Sequence, residues 1–208
     1  MKIESIKYSD QGSKEENEDS LEIMQIEDKF VACIADGIEG KNDSKLASEF
    51  SVDFFLSSLD EGESDLLEII KEAHKEIKEL QNMNPDCKGI STTFTGCVIL
   101  DNKLNIVYTG SSRLNILRGN GIKKLTEYSL ECALGKDNPS IQLQEFDLLS
   151  GDRILLTTQG VHDNITKEEF RDLSKQADTL NDFGNGIVQL LGTKKAADNA
   201  SFIAINVL

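Results

Sequence analysis

Apolar and polar positions change period several times along the chain, and each change marks an element. Phe30-Val31-Ala32-Cys33-Ile34-Ala35 is an unbroken apolar run, the pattern of a strand buried on both faces. Mixed runs over 3–8 and 21–26 predict two strands before it, separated by the polar stretch 10–19. Leu46, Phe50 and Phe54 recur in steps of four behind Asn42-Asp43-Ser44, which predicts a capped helix. Leu66, Ile70, Ala73, Ile77 and Leu80 form a second apolar stripe with Lys and Glu opposite, closed by Pro85 and Gly89. Strand patterns then return over 93–100, 105–108, 114–117, 122–125, 143–148 and 153–157. Among the turns between them, Gly119-Asn120-Gly121 carries the Asn-Gly hairpin signal. Thr166-Lys167-Glu168-Glu169 has capping-box spacing, with Phe170 and Leu173 as an inner face. A last short helix holds Phe183, Ile187, Leu190 and Leu191 and stops at Gly192, and the chain finishes as a strand over 201–207. Strands in hairpin order with helices in pairs predict an α+β domain with antiparallel sheets, and no repeat or linker divides residues 1–208.

Composition changes this picture little. The hydrophobic share is 38% and the charged share 28%, an ordinary balance for a folded domain. No run of about 18 apolar residues is present, so no membrane span is expected. The N-terminal segment lacks the apolar core of a signal peptide. The net charge of −15, with no basic patch longer than Lys123-Lys124 or Lys194-Lys195, argues against a nucleic-acid partner. Cys33, Cys87, Cys97 and Cys132 show no CxxC spacing, which predicts free thiols and a reduced, cytoplasmic setting.

Several chemistries are excluded by their motifs. The chain has no GxxxxGK[ST] phosphate loop and no GxSxG elbow. Gly119-x-Gly121 and Gly184-x-Gly186 lack the third glycine of a dinucleotide fingerprint, and predict a hairpin turn and a helix entry. With His74 and His162 as its two histidines, the sequence does not support a histidine-rich zinc site, and His74 reads as an ordinary helix residue. What remains are aspartates at the ends of apolar strands: Asp36 after the buried run, Asp19 ahead of the second strand, and Asp198 before the last. A carboxylate at a strand mouth is held rigidly yet can face a cleft. Converging carboxylates repel unless a hard cation lies between them.

The order of short motifs resembles the metal-dependent, type-2C serine/threonine protein phosphatases. The matching pieces are Ser9-Asp10-Gln11-Gly12 through Asn17-Glu18-Asp19, Ala35-Asp36-Gly37-Ile38-Glu39-Gly40, Ser91-Thr92-Thr93, Gly110-Ser111-Ser112-Arg113, Leu125-Thr126 with Ser129, 151–160 and Asp198-Asn199. The resemblance implies a four-layer sandwich, with two antiparallel sheets face to face and a helix pair (44–81 and 166–192) on each outer side. It also implies at most two Mn2+ or Mg2+ ions, bridged by Asp36, with the Gly37 carbonyl on one and Asp198 on the other. Glu18 and Asp19 would act through metal-held waters, and Lys14 would grip the substrate phosphate. The implied reaction is in-line attack of a metal-activated water on a phosphoprotein, with no protein nucleophile.

The departures from that family pattern fall at the chemistry. Lys14 stands where arginine is common and lacks its bidentate fork. Ser111 and Gln159 replace aspartates. Loss of the third metal site follows from the first. The second weakens one ion by a few kcal/mol, on the order of 100-fold in affinity. The segment between Ser129 and Leu134 is too short for an extended flap beside the site. Two functions of different class follow: a weak or specialised Mn/Mg-dependent phosphatase, or a phosphatase-fold binding module that engages a phosphoprotein or another signalling partner without turnover.

Overall fold

The computed structural model describes residues 2–38, 44–127 and 132–208. Glu39, Gly40, Asn42, Asp43 and Ser129, and with Ser129 part of the shortened flap segment, lie outside the described residues.

Among the described residues, ten strands and five α-helices follow in the order β1 (Ile3–Asp10), β2 (Asp19–Ile26), β3 (Lys29–Asp36), α1 (Lys45–Asp60), α2 (Leu66–Met83), β4 (Phe94–Leu100), β5 (Lys103–Thr109), β6 (Arg113–Arg118), β7 (Gly121–Lys124), β8 (Gln142–Asp147), β9 (Arg153–Thr157), α3 (Gln159–His162), α4 (Lys167–Gln176), α5 (Leu180–Lys194) and β10 (Ala200–Val207). The strands form sheet I, ordered β1-β10-β9-β6-β7, and sheet II, ordered β2-β3-β4-β5-β8. Every pairing is antiparallel. Side-chain alternation along each strand then gives the layers. Ile34, Ile106, Leu114, Ile154 and Ile203 fill the space between the sheets. Val31, Phe94 and Val107 face α1 and α2 on the outside of sheet II. Leu155, Phe202 and Ala204 face α4 and α5 on the outside of sheet I. This is the expected four-layer α/β/β/α sandwich.

Some local expectations shift. The stripe Leu46, Phe50 and Phe54 is not the buried face of α1: Leu46 is exposed, while Ala47, Ser51, Phe55 and Leu59 are buried. Phe55 meets Phe94 edge-on with ring centroids 5.1 Å apart. Ser44 makes no side-chain cap to α1 and instead donates from Oγ to the Ile38 carbonyl at 2.6 Å, tying the helix entry to the loop after Asp36.

The β6–β7 turn centres on Gly119-Asn120, because Arg118 pairs with Gly121. Gly119 takes the positive φ of +55°, as the first position of a type II′ turn requires. The two-residue turn with both φ positive is Asp101-Asn102, between β4 and β5.

The capping box at Thr166 and Glu169 forms as expected, and a second, at Thr179 and Asp182, opens α5 three residues before Phe183 and extends it to Lys194. Gly184 and Gly186 are therefore inside a helix, not at its entry. A Cβ on Gly184 would strike Ile6, and one on Gly186 would come within 2.6 Å of Leu173.

Cys33, Cys87 and Cys97 are buried free thiols. His74 has a local role in α2, accepting from the Gly135 amide at Nδ1 over 3.1 Å. No helix among the described residues is long and apolar enough to cross a membrane.

Candidate metal and phosphate site

One edge of the sandwich gathers the carboxylates. β2 begins at Asp19 and β3 ends at Asp36, and the register pairs these two residues directly. Register partners share a face of the sheet, with Cβ atoms about 5 Å apart. The pairing follows from the sequence, since the apolar run 30–35 fixes β3 and the tight turn at 27–28 fixes its alignment with β2. A cleft of about 220 Å³ opens there, lined by Lys14, Glu18, Asp36, Gly37, Ile38, Thr93, Ser111, Gln159, Asp198 and Asn199. Asp19, 8% exposed, lies beneath it.

Contacts across the edge hold these groups in place. Thr158 Oγ1 donates to Asp19 Oδ2 at 2.8 Å, and the Gln159 amide donates to Asp36 Oδ2 at 3.3 Å. The Asp36 carbonyl accepts from the Thr93 amide at 2.9 Å and from Thr92 Oγ1 at 3.0 Å. Gly37 is forced to be glycine by its surroundings: a Cβ there would lie 2.8 Å from the Ser44 carbonyl oxygen and 3.0 Å from Glu18 Cβ. The Glu18 carbonyl accepts from the Gly37 amide at 3.1 Å and from Ser48 Oγ at 2.5 Å, which ties α1 to the site.

Electrostatics set the state of the pair. Burial pushes the Asp19 carboxyl up to about 6, against the lowering effect of its hydroxyl neighbours Ser201 and Thr158 and with a further push from Asp198. Burial raises Asp36 well above the usual carboxylate range, and the Asp19 charge raises it further. Asp19 Oδ1 is buried without a hydrogen-bond partner among the described residues, and so is Ser111 Oγ. A buried carboxylate oxygen in that state calls for a proton or a cation. Asp198 is more open and pairs with Lys14, Nζ to Oδ1, at 3.4 Å.

Of the residues singled out in the sequence, Lys14, Glu18, Asp36, Gly37, Gln159 and Asp198 line one cleft, and Asp19 supports it from below. Among the described residues, no three of His, Cys, Asp and Glu stand close enough together to form a ready-made metal cage. Gln159 and Ser111 stand in the cleft as neutral side chains, and the Asp198 carboxylate is engaged by Lys14.

Sequence reasoning missed Asn199 and Thr158 as organisers. Asn199 accepts from the Glu18 amide at 2.9 Å and donates to the carbonyls of Gln11 at 2.8 Å and Glu16 at 2.9 Å, pinning the loop 11–18 over the cleft. The signal was a lone asparagine just before the last strand.

Comparisons with known proteins agree with this architecture. The family model described as Stage II sporulation protein E (SpoIIE) matches residues 29–207. The serine/threonine phosphatase stp of Listeria innocua is 23% identical over 225 residues, covering 91% of this chain and 89% of its own. That alignment is longer than the 208 residues here, so the relative carries residues that this chain lacks. Among solved structures, the serine/threonine phosphatase PstP/Ppp of Mycobacterium tuberculosis superposes with a TM-score of 0.87 at 21% identity, over 99% of this chain and 98% of that one. The serine/threonine phosphatase Stp1 of Staphylococcus aureus does so with a TM-score of 0.91 at 22% identity, over 100% and 96%. With the paired strand-end aspartates and the four-layer sandwich that carries them, these matches show that the chain belongs to the SpoIIE family of type-2C-like phosphatases.

Proposed function

We propose that residues 1–208 form a single phosphatase domain without an extended flap, hydrolysing phosphoserine or phosphothreonine in proteins with help from Mn2+ or Mg2+, weakly or on a narrow set of substrates. The observation that carries this is the direct pairing of Asp19 with Asp36 beneath a cleft that also holds Asp198, Gly37 and Lys14. The kinship to named serine/threonine phosphatases supports the substrate class. The buried free thiols of Cys33, Cys87 and Cys97 suit a cytoplasmic setting.

The donor set fits a hard cation. Asp19 Oδ1 lacks a partner among the described residues, Asp36 is charged only at a cost, and carboxylate, carbonyl and amide oxygens are what magnesium and manganese prefer. Asp36 and the Gly37 carbonyl would hold one ion. Asp198 and the neutral Gln159 carbonyl would hold a second, weaker one, with Glu18 and Asp19 at a further remove. When bound, such an ion supplies Lewis-acid neutralisation of phosphoryl oxygens and acidifies water. The remaining work falls to the chain. Lys14, on the loop pinned by Asn199, offers a mobile positive charge to the incoming phosphate, in exchange for its contact with Asp198. Thr158 fixes the orientation of Asp19, and the Gln159 amide fixes that of Asp36.

The test is a manganese titration with an aryl phosphate and a phosphopeptide. Saturable turnover that disappears in Asp36→Asn is expected. No turnover above the Asp36→Asn background at millimolar manganese rules the enzyme out. A phosphatase-fold binding module is the second function, favoured by the neutral Gln159 and Ser111 in the cleft. It predicts phosphopeptide binding without turnover.

A further inference from the structure

Beside the cleft, a cavity of about 190 Å³ opens on the outer face of sheet I. Asp198 lines both, so one side chain is the wall between them. The strand register supplies the floor. Tyr8 and Asp10 stand two residues apart on β1 and pair with Phe202 and Ala200 of β10, so all four share the face on which α5 packs. The last turns of α5 and its cap bring Val188, Leu191 and Lys195 to the opposite wall.

These groups are within reach of a ligand. Asp10 is exposed, Tyr8 is half-buried, and the Asp198 side chain is 51% exposed. Asp10 is held in position, because its Oδ1 accepts from the Gly12 amide at 2.7 Å, and an ionised carboxylate has lone pairs to spare for further donors. The Tyr8 ring is fixed by stacking on Phe202, with centroids 5.4 Å apart. Burial first, and then the charge and hydrogen bond of Asp10, raises the Tyr8 hydroxyl above its ordinary value, so Asp10 sets a negative potential at the polar edge of the ring. The carbonyl end of α5 brings the negative pole of that helix to the same place. Lys195 opposes them from the rim, on an exposed and flexible stem.

We propose that this cavity seats a basic side chain of the substrate, arginine best, a few residues from the phosphorylated serine or threonine. The proposal rests on the phosphatase function given above and adds a specificity determinant to it. With about 190 Å³, the cavity is smaller than the roughly 300–1,000 Å³ that holds a drug-sized ligand, and suits one side chain. Val188, Leu191 and Ala200 offer apolar wall to the arginine stem, Tyr8 an aromatic surface, and Asp10 a charged acceptor at a fixed position. An extended peptide advances about 3.3 Å per residue, so with Asp198 as the shared wall its phosphate and its arginine are seated together. Asp198 itself is committed to the cleft, where its Oδ1 meets Lys14, and Asp10 is therefore the determinant.

Equilibrium binding of non-hydrolysable phosphonate analogues of a phosphoserine peptide tests this, with arginine, alanine or aspartate at the flanking positions. For the wild type, the arginine peptide should bind about fivefold more tightly than the alanine peptide, and the aspartate peptide more weakly than either. The net charge of −15 attracts any basic peptide, so two variants carry the decision. Asp10→Asn keeps an acceptor for the Gly12 amide and should cut the arginine preference to about twofold or less. Lys195→Gln removes the opposing charge and should raise that preference by about twofold. Aryl phosphate turnover and the melting temperature should stay at wild-type values in both; if Asp10→Asn melts lower, Lys195→Gln decides alone. Equal binding of the arginine and alanine peptides by the wild type, or a preference that neither variant changes, overturns the proposal. An unphosphorylated arginine peptide that binds as tightly as its phosphonate counterpart also overturns it, by making the cavity a docking site independent of the phosphate. Absence of aryl phosphate turnover at millimolar manganese would remove the phosphatase function, while the arginine preference and its response to the two variants still judge the cavity on its own.

Discussion

Thr158, the first residue after β9 of sheet I, hydrogen-bonds Asp19 of sheet II, Oγ1 to Oδ2, at 2.8 Å. The bond joins the two sheets at their shared edge and orients one oxygen of a buried carboxylate, while the other has no donor among the described residues. Asp19 is thus half satisfied, a condition that costs stability whenever its proton is lost.

Asp19→Asn should therefore stabilise the metal-free protein. The folded carboxyl is pushed up to about 6, above the ordinary 3.8 of an aspartate, so its charge costs nothing below the unfolded value and the full penalty above the folded one. At pH 8, the variant should gain on the order of 2 kcal/mol and melt several degrees higher, with little gain at pH 4. Manganese should raise the melting temperature of the wild type and much less that of the variant. A variant that melts below the wild type at pH 8 would show that the buried charge is already compensated.

His162 predicts the opposite pH dependence. Burial first, and the Arg113 charge second, lower its imidazole to about 3. A depressed histidine contributes stability that is full above its unfolded value near 6.5 and is lost as pH falls towards the folded value. Denaturant titrations from pH 7 to pH 4 should show stability falling more steeply in the wild type than in His162→Gln. Parallel curves would mean that the ring is protonated in the native state.

Gln159→Asp restores a charge where the cleft holds a neutral amide. Tighter manganese binding, on the order of 100-fold, should follow, read as a shift in the metal concentration for half-maximal turnover. Without metal the same variant should be less stable than the wild type, because a further acid joins Asp36 and Asp19. A gain in metal-free stability would place the side chain outside their field.

Gly160→Ala addresses the scaffold. A Cβ at Gly160 would collide with the Asn199 backbone carbonyl, which cannot swing away as a side chain can. A loss of about 2 kcal/mol or more in urea unfolding is expected. Metal affinity should fall too, because Asn199 pins the loop bearing Lys14 and Glu18. Wild-type stability would mean that α3 shifts freely against β10.

The strands were legible in the sequence because their patterns are local: the run 30–35 and the alternation around it suffice to place Asp36 and Asp19 at strand ends. The family resemblance supplied what spacing alone does not, namely that Asp198 meets them from the far end of the chain. The inner face of α1 was not legible. Its buried side is built from Ala47, Ser48 and Ser51 as much as from Phe55, small residues that let the helix approach sheet II, while the larger Leu46 stays outside and Phe50 is only partly buried at the flank. The second capping box went unseen because its acid is Asp182, where Glu is the usual partner. The contacts of Asn199 with Gln11, Glu16 and Glu18 join distant segments, and no periodicity reports such meetings.

Because each sheet contributes part of the cleft, with Asp36 on one side and Gln159 and Ser111 on the other, its geometry depends on how the two layers are aligned. A slide between them too small to unfold either would pull Asp19 from Thr158 and Asp36 from the Gln159 amide together. Anything that grips the outer helices and shears the sandwich would thereby act as a throttle on the chemistry without entering the cleft.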